Sequence, residues 1–299
     1  MKILLLGKNG QLGWELQRAL APLGQVTALA SDAADYCGDL RQPELLAATV
    51  RQLRPDVIVN AAAWTAVDLA ESEPQAAYQV NAQAVEVLAR EAQQLGAWLI
   101  HYSTDYVFSG SGERPWREDD STGPLNVYGA SKLAGEQAII AACDQHLIFR
   151  TSWVYGSRGN NFARTMLRLG QQREELAVIN DQFGAPTGAD LLADCSAHAL
   201  VKALANPALA GVYHLAAGGT TSWYDYARLV FSEADAAGLP LALRKLNPQP
   251  TSGYPTPAQR PLNSRLDTAK FKQAFGLQLP EWQQGVQRML AEILPLQVK

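Results

Sequence analysis

Tyr128 and Lys132 stand four residues apart in "LNVYGASKLAGEQ" (125–137), a stretch rich in small and helix-forming residues. On a helix that spacing puts both side chains on one face, where they can touch. A phenol is then available to give a proton to a carbonyl oxygen as charge develops on it. The neighbouring ammonium is expected to pull that phenol down from its usual pKa of about 10 towards neutrality. The spacing alone does not prove such a centre: ten tyrosines and eight lysines in 299 residues produce one such pair in roughly every four random chains. Two side chains sharing a solvated helix face read the same way.

Directly after the first apolar run comes "GKNGQLG", with Gly7, Gly10 and Gly13 at three-residue intervals leading into a helical stretch. Glycines allow a tight turn and let the backbone approach a pyrophosphate, whose charge is met by free amides at the helix N-terminus. Ordinary turns share this string, and it is the position at the first strand-to-helix crossing that favours nucleotide binding. Two further segments, "NAAAWT" (60–65) at a strand end and "GDL" (38–40) before a helix, read as ligand contacts by that placement, or otherwise as core packing and an N-cap. The second strand ends at "ALASD", where Asp32 suits a ribose 2′-hydroxyl and Lys8 a 2′-phosphate, so NADH and NADPH both stay open.

These groups need a frame to hold them. Apolar runs "KILLLG", "QVTALA", "DVIVNAAA", "AWLIHYS" and "HLIFRTSWVYG" alternate with helical stretches at Leu12–Leu23, Pro43–Leu53, Pro74–Leu95 and the Tyr128 segment. Short, wholly apolar strands separated by helices predict an α/β fold, a doubly wound parallel sheet of the Rossmann kind. Beyond about Thr151 the rhythm loosens and proline becomes dense between Pro240 and Pro261. We expect a nucleotide-binding domain over 1–150 and a smaller, mainly substrate-binding domain over 151–299, with strands near 176–180 and 212–216 returning to the first sheet.

Bulk properties narrow the class. With 299 residues and 47% hydrophobic content the chain can bury a large core, and a net charge of −4 without a basic run argues against nucleic acid as a partner. Three scattered cysteines and four histidines show no zinc spacing and suit a reducing compartment. The apolar start is too short for a signal peptide and nothing approaches the roughly 18 residues of a membrane span, so the cytoplasm is the expected location.

Taken in order, "GKNGQLG", "NAAAW", "VNAQAVEVLA", "HYSTDYVFSG" and Tyr128-x-x-x-Lys132 resemble the extended short-chain dehydrogenase/reductase superfamily. Within it, "STDYVFSG", "NVYGASKLAGE", "FRTSWVYG", "NNFARTML", "NDQFGAPT", "HLAAGGTTSWYDYA" and "RPLNSRLD" closely resemble the dTDP-4-dehydrorhamnose reductase family across nearly the whole chain. The resemblance implies reduction of a 4-keto nucleotide sugar by NADPH or NADH, with dTDP-L-rhamnose for cell-surface polysaccharides such as O-antigen as product. It implies Tyr128 as proton donor, Lys132 as its partner and the ligand of the nicotinamide ribose, and Thr104 in place of the usual serine, a mild change that keeps the hydroxyl. It also places Gly10, Gln11, Leu12, Asp39, Leu40, Ala62, Ala63, Trp64, Thr65 and Tyr102 around the cofactor. Asp105, Trp153, Asn161 and Arg260 fall on the substrate side, Trp153 reading alternatively as an interface aromatic and Arg260 as a solvated cation.

A homodimer is the implied assembly, in some members with Mg²⁺ at the interface, though no ligand carboxylates can be picked out by spacing. Two other readings compete: an epimerase or dehydratase of the superfamily, which would recycle its NAD, and a non-catalytic NADP-binding regulatory subunit. The complete set of Thr104, Tyr128 and Lys132 argues against the second.

Overall fold

After Lys2 the first strand is buried on both faces, and such a run is satisfied only inside a sheet covered on both sides. A computed structural model describes residues 1–296 and places that strand in the interior of such a sheet. In chain order the first half comprises β1 (Lys2–Leu6), α1 (Gln11–Leu20), β2 (Gln25–Leu29), α2 (Pro43–Leu53), β3 (Val57–Asn60), α3 (Val67–Ser72), α4 (Pro74–Tyr78), α5 (Ala84–Leu95), β4 (Trp98–Thr104), α6 (Val127–Ala142) and β5 (His146–Thr151). The second half adds β6 (Val154–Tyr155), α7 (Phe162–Gln172), β7 (Glu175–Ile179), β8 (Phe183–Gly184), β9 (Thr187–Gly188), α8 (Ala189–Ala205) and β10 (Gly211–His214). It ends with β11 (Thr221–Ser222), α9 (Trp223–Ala236), β12 (Lys245–Gln249), α10 (Ala269–Phe275) and α11 (Trp282–Ile293).

Six parallel strands form the main sheet in the order β10-β5-β4-β3-β1-β2. The chain leaves β1 towards β2 on one side and resumes at β3 on the other, so the crevice of a doubly wound sheet opens at their carboxyl ends. Side-chain alternation sorts the two faces. Ile3 and Leu5 join α1, α8 and α10 in one core; Leu4 and Leu6 join α2, α5 and α6 in the other. A third core lies under the second half, where Leu167 of α7, Val230 of α9 and Val286 of α11 meet Leu176 and Val178 of β7.

The later strands divide. The strand at Gly211–His214 pairs parallel with β5 at the sheet edge, whereas the strand at Glu175–Ile179 does not return there but pairs with Lys245–Gln249. Its burial explains why: Leu176 and Val178 are covered while Glu175 and Ala177 are exposed, the alternation of a strand with one wet face. Residues beyond 151 thus supply β10, α8 and α10 to the main sheet and its cover as well as building the third core. Two helices also differ from the sequence expectation. The first begins at Gln11 and gives way at Leu20 to a 3₁₀ turn through Pro22, and the stretch 74–95 is interrupted by a π turn at Gln79–Gln83.

Candidate active site

α6 starts at Asn126, whose side chain accepts the Gly129 amide at 2.8 Å and donates to the Gln259 carbonyl at 2.8 Å. The cap fixes the first turn, which carries Tyr128, and one turn later Lys132 is only 2% exposed. At the end of β4, Thr104 Oγ1 accepts the Tyr106 amide at 3.2 Å and donates to Asp105 Oδ1 at 3.1 Å. The Tyr128 phenol lies close enough to the Thr104 hydroxyl to be influenced by it, and the Tyr106 ring meets the Tyr128 ring edge-on at 5.6 Å. The structure therefore brings Tyr128, Thr104 and Asp105 together at the carboxyl end of the sheet, with Lys132 one turn further along α6.

The electrostatics depart from the simple expectation. Burial pushes the Tyr128 phenol up to about 12, opposed by the nearby Thr104 hydroxyl and reinforced by the Asp105 charge. The lysine does not pull it down, because Lys132 Nζ is directed at His101 Nε2, 3.1 Å away. Burial likewise pushes Lys132 down to about 8 against the raising influence of Glu136. Asp105 is pushed up to about 7 by burial, with its bond from Thr104 and the nearby Ser264 hydroxyl working the other way. Desolvation outweighs pairing at all three groups.

The nucleotide end is built on contact rather than on side-chain chemistry. Gly7 turns at φ +85°, and a Cβ there would lie 2.8 Å from the Ala62 nitrogen; a Cβ on Gly13 would lie 2.0 Å from the Gly7 carbonyl oxygen. Gly10 caps α1 with no side-chain bond, so the amides of Gln11 and Leu12 are left to meet an anion. The strip Ala62, Ala63 and Trp64 is half-buried and Thr65 exposed, facing this loop from the end of β3. The donor set and the clearance fit a dinucleotide pyrophosphate.

Other expected cofactor contacts are engaged elsewhere. Tyr102 points to the opposite sheet face from His101, donates to Ser196 Oγ at 2.7 Å and packs in the core, because adjacent strand residues face opposite ways. Leu40 is 4% exposed in the other core. Asp39 is held by Arg41 (Nη2–Oδ2 2.8 Å, Nε–Oδ1 3.0 Å) and by Gln42, which lowers its pKa, leaving the 64%-exposed Arg41 as a cation in this segment that the sequence reading passed over. Asp32 is exposed.

On the substrate side, Trp153 adopts φ +51°, rare for a bulky residue, and stacks on Trp223 with ring centres 3.6 Å apart. Asn161 is the N-cap of α7: its oxygen accepts the Arg164 amide at 3.1 Å, and its NH₂ serves the Gly156 carbonyl (2.7 Å) and Gln11 Oε1 (3.1 Å), so both N–H groups are already taken. Arg260 is paired with Asp68 through two N–H groups, one at 2.7 Å to Oδ2, and also donates to Ala258 O. It therefore ties the late segment to α3 instead of standing free.

The sequence reading quoted "VNAQAVEVLA" without singling out Asn81, which is 1% exposed in the π turn. Its Oδ1 accepts the Trp64 amide at 2.9 Å, and its Nδ2 donates to the Trp64 carbonyl at 3.1 Å and to Ser131 Oγ at 3.0 Å, which in turn donates to the Tyr128 carbonyl at 2.8 Å. One side chain thus clamps the nucleotide strip to the helix bearing Tyr128. Asn81→Ala is expected to lose about 2–3 kcal/mol of stability, the cost of orphaning buried polar groups, and to weaken cofactor binding. Chemical unfolding and cofactor titration check this; no loss in either would show that the clamp has no role.

Among the described residues no group of three or more His, Cys, Asp and Glu converges as a metal centre, and no helix is long and apolar enough to cross a membrane. The family described as "RmlD substrate binding domain" matches residues 1–294. A dTDP-4-dehydrorhamnose reductase of Escherichia coli (strain K12) is 66% identical over 293 residues, covering 98% of each chain. Among solved structures, a dTDP-4-dehydrorhamnose reductase from Clostridium acetobutylicum superposes with a TM-score of 0.88 at 33% identity, covering 98% of this chain and 99% of the other. That from Bacillus anthracis, solved in complex with NADP, gives 0.86 at 35% identity, covering 97% and 99%. With the glycine loop at the first crossing of a doubly wound sheet, the chain belongs to the dTDP-4-dehydrorhamnose reductase family.

Proposed function

We propose that the chain reduces the 4-keto group of dTDP-4-dehydro-β-L-rhamnose with NADPH or NADH, giving dTDP-L-rhamnose, and that Tyr128, Thr104 and Lys132 carry out its proton chemistry. The observation that carries this reading is Tyr128 beside Thr104 at the sheet's carboxyl end, with Lys132 one turn along the same helix, in a fold whose glycine loop fits a pyrophosphate. Gly7, Gly10, Gly13, the amides of Gln11 and Leu12, and the strip Ala62–Thr65 would hold the dinucleotide, which when bound supplies the hydride. Hydride arriving at C4 leaves negative charge on the sugar oxygen. Tyr128 gives its proton there, and the hydroxyl of Thr104 hydrogen-bonds to the reacting oxygen or to the phenol. A phenol held neutral by burial is the acid the reductive direction requires.

Trp153 and Asp105 are the side chains we assign to the sugar side: Trp153 as a stacking surface and Asp105 through its contact with Thr104. The substrate is a water-soluble nucleotide and the product feeds cell-surface polysaccharide, O-antigen included, so we place the reaction in the cytoplasm.

A panel of 4-keto nucleotide sugars, followed by loss of nicotinamide absorbance, tests the assignment. We expect one NADPH or NADH oxidised per molecule of the dTDP-sugar, with the two cofactors differing by less than about a thousandfold in kcat/KM, some 4 kcal/mol. Sugar conversion without net cofactor oxidation would mean epimerase or dehydratase chemistry, and binding without any conversion would mean a regulatory subunit.

A further inference from the structure

His101 and Asn60 are each 1% exposed and sit directly opposite one another in the register of β3 and β4. The Asn60 carboxamide is oriented by its surroundings: Oδ1 accepts the Ala62 amide at 3.2 Å, and the reverse orientation would set NH₂ against that N–H, donor against donor. Nδ2 therefore faces His101 Nδ1 at 3.2 Å and can only donate to it. His101 is held neutral by burial and by the nearby Lys132. A neutral imidazole carries one proton; with Nδ1 accepting, that proton is on Nε2, the atom 3.1 Å from Lys132 Nζ.

From this geometry we infer that His101 is a positioning residue that sets the charge of Lys132, presenting an N–H that the neutral amine can accept and the ammonium cannot. This rests on the reading of Lys132 as part of the active centre. An ammonium has donors only, so charging Lys132 requires His101 to move its proton to Nδ1 and the Asn60 carboxamide to turn over, which releases the Ala62 amide in the nucleotide strip. The charge of Lys132 and the shape of the cofactor strip are thereby coupled. Other charged groups facing Lys132 do not change the sign. Glu136, one turn along α6, raises its pKa but is itself bound by Arg150 of β5. Tyr128 and Asp105 are grouped with Thr104, which donates to the Asp105 carboxylate.

The test measures the Lys132 pKa directly in the free chain by NMR of ¹³Cε-labelled lysine, and the His101 tautomer by ¹⁵N NMR. His101→Gln offers a carbonyl oxygen that can accept from the ammonium, and is expected to raise the Lys132 pKa and the basic limb of kcat/KM together by about one unit, a tenfold change. Above the pH at which Lys132 gives up its proton, the wild-type imidazole is expected to carry its own proton on Nε2, and the tautomer is read there. A proton found on Nδ1, or a lysine pKa unmoved in folded His101→Gln, overturns the inference, and the wild-type tautomer decides it even if the variant does not fold. Neither NMR measurement depends on turnover. A Lys132→Met chain that kept full activity would instead defeat the catalytic reading while leaving the tautomer and pKa results standing.

Discussion

Tyr128→Phe is expected to fold, to bind cofactor and substrate nearly as the parent does, and to lose kcat by roughly 10²–10⁴-fold, the usual worth of a positioned acid. The asymmetry between rate and binding follows from when the hydroxyl acts: the charge it meets is present mainly in the transition state. The substitution removes a hydroxyl near Thr104 and no backbone contact, since the Tyr128 carbonyl, not its ring, accepts from Ser131. Thr104→Val should be the next most damaging, because it retains the shape and loses the hydroxyl that links Asp105 and the Tyr106 amide beside Tyr128; Thr104→Ser should be mild. Lys132→Met should lose rate and cofactor affinity together. Steady-state kinetics and cofactor Kd, with circular dichroism as the control for folding, rank the four. Near-normal turnover in Tyr128→Phe would return the Tyr128–Lys132 pair to an ordinary helix face.

What could be read from the sequence is what depends on neighbours in the chain. The glycine loop follows its strand and precedes its helix within thirteen residues, and the alternation of apolar runs with helices fixes a doubly wound sheet without any knowledge of contacts. The four-residue spacing on α6 placed Tyr128 and Lys132 correctly on one side. It did not reveal that the lysine reaches past the phenol to His101, because that contact depends on the register of β4 against β3 and on how α6 lies over them. Similar long-range choices decided Arg260, whose partner Asp68 is 192 residues away, and Asn81, whose role is visible only once Trp64 and Ser131 are beside it. The direction of the Tyr102 ring was hidden by a subtler route: its neighbours Ser103 and Thr104 lead into the site, but the pleat turns the ring to the far face. "LAVIND" reads as a buried strand by composition, yet only alternate residues are covered, and composition does not say which sheet a strand will join.

The largest stability effect is expected one turn beyond Lys132. Glu136 and Arg150 form an ion pair with side chains 1% and 6% exposed, bonded from Nε at 2.9 Å and 3.1 Å and from Nη2 at 2.6 Å, with the guanidinium 5.1 Å from the centre of the Phe108 ring. Arg150 lies in β5 opposite Ser103 of β4 and His214 of β10, so the pair fastens the catalytic helix to the middle of the sheet edge. Replacing Glu136 by Leu leaves a guanidinium in the interior with no counter-charge. Its charge cannot be relieved by deprotonation at any working pH, and the loss should be about 3–5 kcal/mol, a large share of the 5–15 kcal/mol that folded domains usually have in hand. Arg150→Met leaves a buried carboxylate without its partner instead, and should also destabilise the fold. The double replacement Glu136→Leu with Arg150→Met removes both desolvation penalties, and because a buried pair gains little net over apolar groups of like volume, it should recover most of the loss from Glu136→Leu alone. Urea unfolding of the three variants gives the coupling directly. If Glu136→Leu costs under about 1 kcal/mol, water must reach Arg150 and the pair is not the fastening inferred from its burial.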